Sequence, residues 1–415
     1  MMINSDRIQR TLADLSQFGA LEGGGTTRIS YSKDYLAAQE YVRQAMLEAG
    51  MTVERDPIGN LIGTYAGTDG SLPAVMSGSH LDTVPGGGNF DGVLGVVAAL
   101  EVARSWHDAG YIPKRSLKVI ATIEEESTDF GQACFGVRVR SGEFKDAKAS
   151  DIKCVAQENA GKTLADRLND AGFPADALQS AAVGFSDISA FIELHIEQGA
   201  QLDEKHCQCG IVTHIVGYDR LYITLLGEAN HAGTTAMHRR KDAAAAGAEI
   251  ILGVQALAQA DKRFVATCGK FDVEPGAANI VPGKVHMCVE VRSYDDAILQ
   301  EVRQKVLDVI NRGTEKNNVK WQIDGDFHVP AVPLYESVIS CMEEAARELD
   351  LQHRQLPSWA GHDAQIFVSA GVPTGMIFVP SVNGISHAKA EYSRPEEIAC
   401  CVQLLEKVLE KLTQK

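Results

Sequence analysis

Apolar positions recur at helical spacing in "DYLAAQEYVRQAMLEAG" (34–50), which stops at Gly50, a residue suited to the position after a helix. Two apolar, β-branched runs, "LPAVMSGSH" (72–80) and "SLKVIATIEEE" (116–126), end abruptly in polar side chains and predict strands. Between them "GVLGVVAALEVARSWHDAG" (92–110) predicts a helix. This β-α-β order implies a mixed or parallel sheet covered by helices on both faces. From Val216 to Asp326 the pattern changes. It predicts a strand over 221–226, a helix over 240–258, strands over 264–273 and 284–291, a helix over 298–312 and a strand over 319–323. That β-α-β-β-α-β order is the ferredoxin-like signature. Alternation then resumes with a helix over 337–350, a strand over 375–380 and a last helix from Pro395. The fold class expected is α/β: one domain from 1–214 and 328–415, with a ferredoxin-like domain inserted over 215–327.

At 415 residues the chain exceeds one ordinary core, in keeping with two domains. A net charge of −16 repels phosphate, which argues against nucleic acid or anionic membrane as a partner. No apolar run reaches the roughly 20 residues of a membrane span. The start "MMINSDRIQRTLADLS" has neither the basic nor the apolar part of a signal peptide, so a cytoplasmic location is expected. The nine cysteines form no regular framework and read as reduced thiols. Cys207 and Cys209 make a C-x-C without a second pair at zinc-ribbon spacing, which packing explains as well as a structural metal.

Chemistry-bearing residues gather where strands end, which is where ligands bind in open α/β sheets. His80 closes one predicted strand and Asp91 follows in the loop "GSHLDTVPGGGNFDG" (78–92). Glu124, Glu125 and Glu126 close the next. "FIELHIEQG" (191–199) aims Glu193, His195 and Glu197 at one face of a strand. "NGISHAKAE" (383–391) places His387 past another. The glycine-rich loop lacks the Gly-Lys-Ser/Thr sequel of a phosphate loop. Its glycines instead let Asp91 swing back beside His80. Taken singly, a His or Asp at a strand end is usually a cap or a surface residue, and a glutamate run a solvated exit. The coincidence of four such sites points to imidazole and carboxylate ligands for zinc, manganese or cobalt.

At these residues the chain resembles the di-metal amidohydrolases of the aminoacylase and carboxypeptidase superfamily. Within that group it is most similar to N-carbamoyl-L-amino acid hydrolases and allantoate amidohydrolases. The matching stretches run through nearly the whole chain: "GGGTTRISYS", "GNLIG", "GSHLDTVPGGGNFDG", "EEE", "ELHIEQG", "NHAGTTAM", "NIVPGKV", "AGHDAQIF" and "MIFVPSVNGISHAKAE". The resemblance implies two divalent ions per subunit: zinc, or manganese, cobalt or nickel. It assigns one to His80, Asp91 and His195 and the other to Asp91, Glu126 and His387, with Asp91 bridging. It makes Glu125 the general base, Asp82 the carboxylate that orients His80, and His231 the donor to the oxyanion. It gives Arg292 to the substrate carboxylate, Asn279 and Gln198 to the ureido group, and Gly361 to a substrate-contacting turn. Arg292 pairing a neighbouring acid, Asn279 as a turn residue and Gln198 as a strand-end cap are the plain alternatives.

The function so implied is hydrolysis of the ureido C–N bond of a small carboxylate-bearing substrate, releasing ammonia and carbon dioxide. Allantoate comes first and an N-carbamoyl-L-amino acid next. A metallo-exopeptidase or aminoacylase of the same superfamily, or a non-catalytic metal-binding relative, is the alternative. The inserted domain implies a homodimer and a lid, with hinges near 213–217 and 325–329. Three departures stand out. "STDF" (127–130) replaces Gly-Ser-Arg-Phe and puts Asp129 where an arginine is expected, changing charge near the second ion or the substrate mouth. "TTAM" replaces Thr-Thr-Pro-Met, affecting a turn, and Trp359 replaces a glycine, its ring narrowing the pocket.

Overall fold

A computed structural model describes residues 3–415. The chain divides into two compact units. One comprises the residues up to Thr213 with Pro333–Leu356 and Gly361–Lys415, and the other His214–Val332 with Pro357–Ala360.

The first unit is built on a mixed sheet. Its strands before the crossing are β1 (Thr52–Arg55), β2 (Leu61–Tyr65), β3 (Ala74–His80), β4 (Leu117–Thr122), β5 (Ile188–Ile196) and β6 (Cys209–Ile215). The second unit supplies β7 (Gly217–Leu226), β8 (Asn230–His231), β9 (Phe264–Glu274), β10 (Ile280–Val281), β11 (Lys284–Ser293) and β12 (Lys320–Val329). The chain closes with β13 (Val332–Pro333), β14 (His353–Ser358) and β15 (Thr374–Val379). The large sheet runs β1-β2-β4-β3-β5-β15-β6-β13, with β14 beside β6. Its central strands β4, β3, β5 and β15 are parallel, and their flanks are antiparallel. β3 and β15 are buried along their whole length, as strands covered on both faces must be. The helices Val93–Ala109 and Pro395–Gln414 pack on these strands and on each other, and Asp363–Ser369 packs on β5 and β15. Because the four central strands share one direction, their carboxyl ends fall along one edge. That is the feature that builds the site.

The second unit has the expected β-α-β-β-α-β order: β7, the helix Ala243–Ala260, β9, β11, the helix Asp296–Lys316 and β12. Its antiparallel sheet runs β12-β7-β11-β9. Leu221, Ile223 and Leu225 alternate inward from β7 onto Ile250, Val254, Val302 and Val306 of the helices. β12 is longer than its apolar run because pairing to β7 survives a bulge between Ile323 and Gly325 and continues to Val329. Residues 325–329, expected at a hinge, therefore lie inside a strand. Ala243–Ala260 reaches a hydropathy of 1.3 over 18 residues, long and apolar enough by length and composition to cross a membrane. Its Ala243, Ala246, Ile250 and Val254 are core residues of this unit.

Gly78 sets the closeness of β3 and β4. Its φ is +153° and a Cβ would stand 1.9 Å from the Ile120 carbonyl oxygen, its register partner. Gly78→Ala is expected to cost about 3 kcal/mol or more, read as a lower urea midpoint at unchanged slope; an unchanged midpoint contradicts this role.

Candidate metal centre

His80 ends β3, Glu124–Glu126 follow β4, His195 is the penultimate residue of β5, and His387 lies in the segment after β15. The loop from His80 to the helix Val93–Ala109 returns Asp91 over the strand ends. Gly92 there has φ +65°, and a Cβ would stand 2.3 Å from the His80 ring. Only glycine lets the chain pass the imidazole so closely.

Asp91 lies between three imidazoles. Its Oδ1 is 3.1 Å from His195 Nε2 and 3.6 Å from His80 Nε2, and its Oδ2 is 3.2 Å from His387 Nε2. His387 Nε2 is also 3.5 Å from Glu126 Oε1. Two groups of possible ligands therefore share Asp91: His80 with His195, and Glu126 with His387. His80 Nδ1 and His195 Nδ1 lie 2.9 Å from the carbonyl oxygens of Asp82 and Ile196. A carbonyl only accepts, so these Nδ1 atoms carry protons, and each Nε2 is left facing Asp91, the ring atom that would meet a cation once deprotonated. Burial raises the Asp91 carboxyl, but His195, His387 and His80 outweigh it and hold it well below the usual range. Burial pushes Glu125 and Glu126 up, and the neighbouring acids add to the shift. A buried acid cluster of this kind favours cations. Glu126 Oε1 is buried with no hydrogen-bond partner among the described residues. The donor set of imidazole nitrogens and carboxylate oxygens fits zinc, manganese or cobalt. Cys207 and Cys209 join none of the possible ligand groups among the described residues.

The glutamates separate by surroundings. Glu124 Oε1 accepts the N–H groups of Asp129 at 2.6 Å and Phe130 at 2.8 Å, so it holds the following loop. Glu125 faces the centre, with Oε2 3.9 Å from His80 Nε2 and Oε1 receiving the Cys134 thiol at 3.3 Å. Asp82 keeps its carboxylate near the His80 ring, Oδ1 standing 3.8 Å from Nδ1. Its backbone carbonyl orients His80, while its carboxylate accepts the N–H groups of Glu125 at 3.2 Å and Glu126 at 3.1 Å. Gln198 lies at the centre's edge, its Nε2 2.8 Å from Asp91 Oδ2 and 3.3 Å from His387 Nε2. Gly361 is exposed in the turn before Asp363–Ser369.

Asp129 does not alter the charge of an open mouth. It is fully buried, accepting from Arg167 Nε at 2.9 Å and Asn159 Nδ2 at 2.8 Å. An internal ion pair thus occupies this place. Glu193 and Glu197 alternate as expected yet serve as anchors. Glu193 accepts from Ser79 and the Ala364 N–H, and Glu197 from the N–H groups of Gln201 and Leu202. His362, whose ring stands 4.5 Å from that of His195, forms a further ligand group with Glu193 and His195 that strand-end reasoning did not single out.

His231, Asn279 and Arg292 belong to the second unit. His231 Nδ1 accepts the N–H groups of Gly233 at 3.0 Å and Thr234 at 3.2 Å, so its proton resides on Nε2, which is left as a donor. Asn279 is exposed beside it, its carbonyl accepting from Ala232 N–H at 2.9 Å. Arg292 does pair a neighbouring acid, its Nε 2.8 Å from Glu290 Oε1. Trp359 packs edge-on against Tyr294 at 6.1 Å and offers its carbonyl to Arg292 Nη1 at 3.2 Å.

Residues 76–411 match the family described as peptidase family M20/M25/M40. The chain is 35% identical to an N-carbamoyl-L-amino-acid amidohydrolase of Paenarthrobacter aurescens, over 98% of each chain. It is also 35% identical to an allantoate amidohydrolase of Bacillus subtilis (strain 168), over 96% of this chain and 95% of that one. A ureidoglycolate hydrolase of Arabidopsis thaliana is 35% identical over 100% and 87%. Among solved structures, an amidase of the hydantoinase/carbamoylase family from Burkholderia multivorans superposes with a TM-score of 0.89 at 31% identity, covering 100% of this chain and 99% of that one. The chain therefore belongs to peptidase family M20/M25/M40 and is, within it, a hydrolase of carbon–nitrogen bonds other than peptide bonds.

Proposed function

We propose that the protein hydrolyses the ureido C–N bond of allantoate or an N-carbamoyl-L-amino acid, releasing ammonia and carbon dioxide. The observation that carries this reading is Asp91 shared between two groups of imidazole and carboxylate ligands, with Glu125 beside them. His80, Asp91 and His195 would hold one divalent ion, and Asp91, Glu126 and His387 the other. Bound there, such a pair would lower the pKa of a water to about 7 and polarise the scissile carbonyl. Glu125, buried with Oε2 3.9 Å from His80 Nε2, is assigned the proton of the attacking water, which it delivers to the leaving nitrogen. His231 is assigned the oxyanion, through the Nε2–H that its Nδ1 contacts leave free. Arg292 is assigned the substrate carboxylate: Glu290 takes its Nε and leaves Nη2 for an anion. Gln198 and Asn279 are assigned the ureido group, and Gly361 the adjoining turn. Asp82 is a positioning residue in this scheme, fixing His80 and the two glutamates.

The second unit is proposed as a ferredoxin-like lid and dimerisation domain, a reading supported by its strand order. Within it, Ala243–Ala260 leaves Leu252 64% exposed, with Ala248 and Ala256 exposed one turn to either side. A homodimer covering that side is the assembly proposed. All nine cysteines are free, which supports the expected cytoplasmic location.

Ammonia release from allantoate, N-carbamoyl-L-amino acids and ureidoglycolate, assayed with added manganese beside a set of dipeptides, tests the activity. Turnover of a ureido substrate is expected, and preferential dipeptide turnover contradicts it. Glu125→Gln is expected to lower kcat about 10²–10⁴-fold while the protein keeps its metal content; near-normal kcat removes Glu125 from the role of base. In light scattering, the wild type is expected as a dimer and Leu252→Arg as a monomer, and a monomeric wild type at micromolar concentration overturns the assembly.

A further inference from the structure

Glu391 is absent from every role assigned above, yet it is buried, 6% exposed, and all its polar contacts go to the two loops that carry Asp91 and His387. Its Oε1 accepts the backbone N–H of Phe90 at 2.8 Å and of Asp91 at 3.1 Å. Its Oε2 lies 2.9 Å from Ser386 Oγ, and that hydroxyl lies 2.9 Å from Asp91 Oδ2. The Glu391 N–H donates to the Ala388 carbonyl at 2.9 Å, closing the turn that follows His387. One side chain therefore grips the main chain at Asp91, and through Ser386 reaches both the Asp91 carboxylate and the residue before His387. The Phe90 and Tyr392 rings meet edge-on at 5.9 Å beside this contact, so the loops are also joined by apolar packing.

Gly88 shows what the contact requires. A Cβ there would stand 2.1 Å from Glu391 Oε1, 2.3 Å from its Cδ and 2.4 Å from its Cβ. Gly88 is not among the glycines with positive φ, so its need for glycine is one of space. The third glycine of "PGGGNFDG" is the notch that receives the carboxylate.

We propose that Glu391, seated against Gly88, is the positioning residue that registers Asp91 between the two ligand groups. The physical reason is the shared acid. His80 and His195 sit on strands of the sheet, whereas His387 rides on a loop, and Asp91 must face both within a fraction of an ångström to complete two coordination spheres. The Phe90 and Asp91 N–H groups, both donating to Glu391 Oε1, fix where the Asp91 main chain stands. The Ser386 hydroxyl, with one proton between two carboxylates, couples that position to the His387 loop.

The assignment rests on the metal-centre reading, and the experiment separates the two. Protein stripped with a chelator is titrated with manganese(II) chloride in a calorimeter, with circular dichroism and ion-free melting as folding controls. The wild type is expected to take up two ions. Glu391→Ala and Gly88→Ala are each expected to weaken uptake about 10–100-fold. The double variant is expected to fall little further, because both changes break one contact. Glu391→Gln, which keeps an acceptor for the two N–H groups, is expected to lie closer to wild type than Glu391→Ala. A folded Glu391→Ala protein that binds both ions as tightly as wild type overturns the assignment. Should that variant fail to fold, Ser386→Ala reads the same coupling, with weaker binding expected and unchanged binding overturning it. A wild type that takes up no manganese overturns the metal centre itself, and the assignment with it.

Discussion

The structure depends on one carboxylate facing two ways. Asp91 is buried, and each of its oxygens meets imidazole, Oδ1 at His80 and His195 and Oδ2 at His387. Around it are Asp82, Glu124, Glu125, Glu193 and Asp363, all buried too. Burial drives the carboxyls of Glu124, Glu125, Glu126, Glu193 and Asp363 upward, and neighbouring acids add to it at Glu124, Glu125, Glu126 and Asp363. Packing so much acid out of water is costly unless positive charge compensates it. Only the imidazoles answer within the group of possible ligands, and divalent cations would complete the balance.

The scaffold delivers this charge density by direction and by local strain. Parallel β4, β3, β5 and β15 bring four carboxyl ends to one edge. At that edge the backbone takes positive φ at residues other than glycine: Glu124 at 56°, Ser127 at 55°, Gln198 at 58° and His387 at 54°. Such conformations persist where surrounding contacts over-determine them, and they concentrate at functional sites. The Glu124 carboxylate holding the N–H groups of Asp129 and Phe130 is one of those contacts.

Much of this was legible along the chain. Polar residues ending apolar strands pointed to His80, Glu124, Glu125, Glu126, Glu193, His195, Glu197 and His387, because strand ends and side-chain alternation are local properties, and the family resemblance chose among the glutamates. Helix and strand order in the second unit was equally readable, though the bulge that lengthens β12 was not. What escaped depends on contacts between distant segments. Glu391 meets Asp91 across 300 positions, and nothing near Glu391 announces it. Asp129 read as a change of charge near the second ion or the mouth until Arg167, 38 positions on, proved to neutralise it inside. Asp82 came from the family resemblance, but which of its oxygens meets the ring is a matter of loop geometry.

The account stands on two cations sharing Asp91. An anomalous difference map from crystals grown with manganese tests this most directly. It predicts two peaks bridged by the Asp91 carboxylate, one beside His80 and His195 and the other beside Glu126 and His387. A map with no peak against Asp91, or with manganese bound only elsewhere, would contradict it.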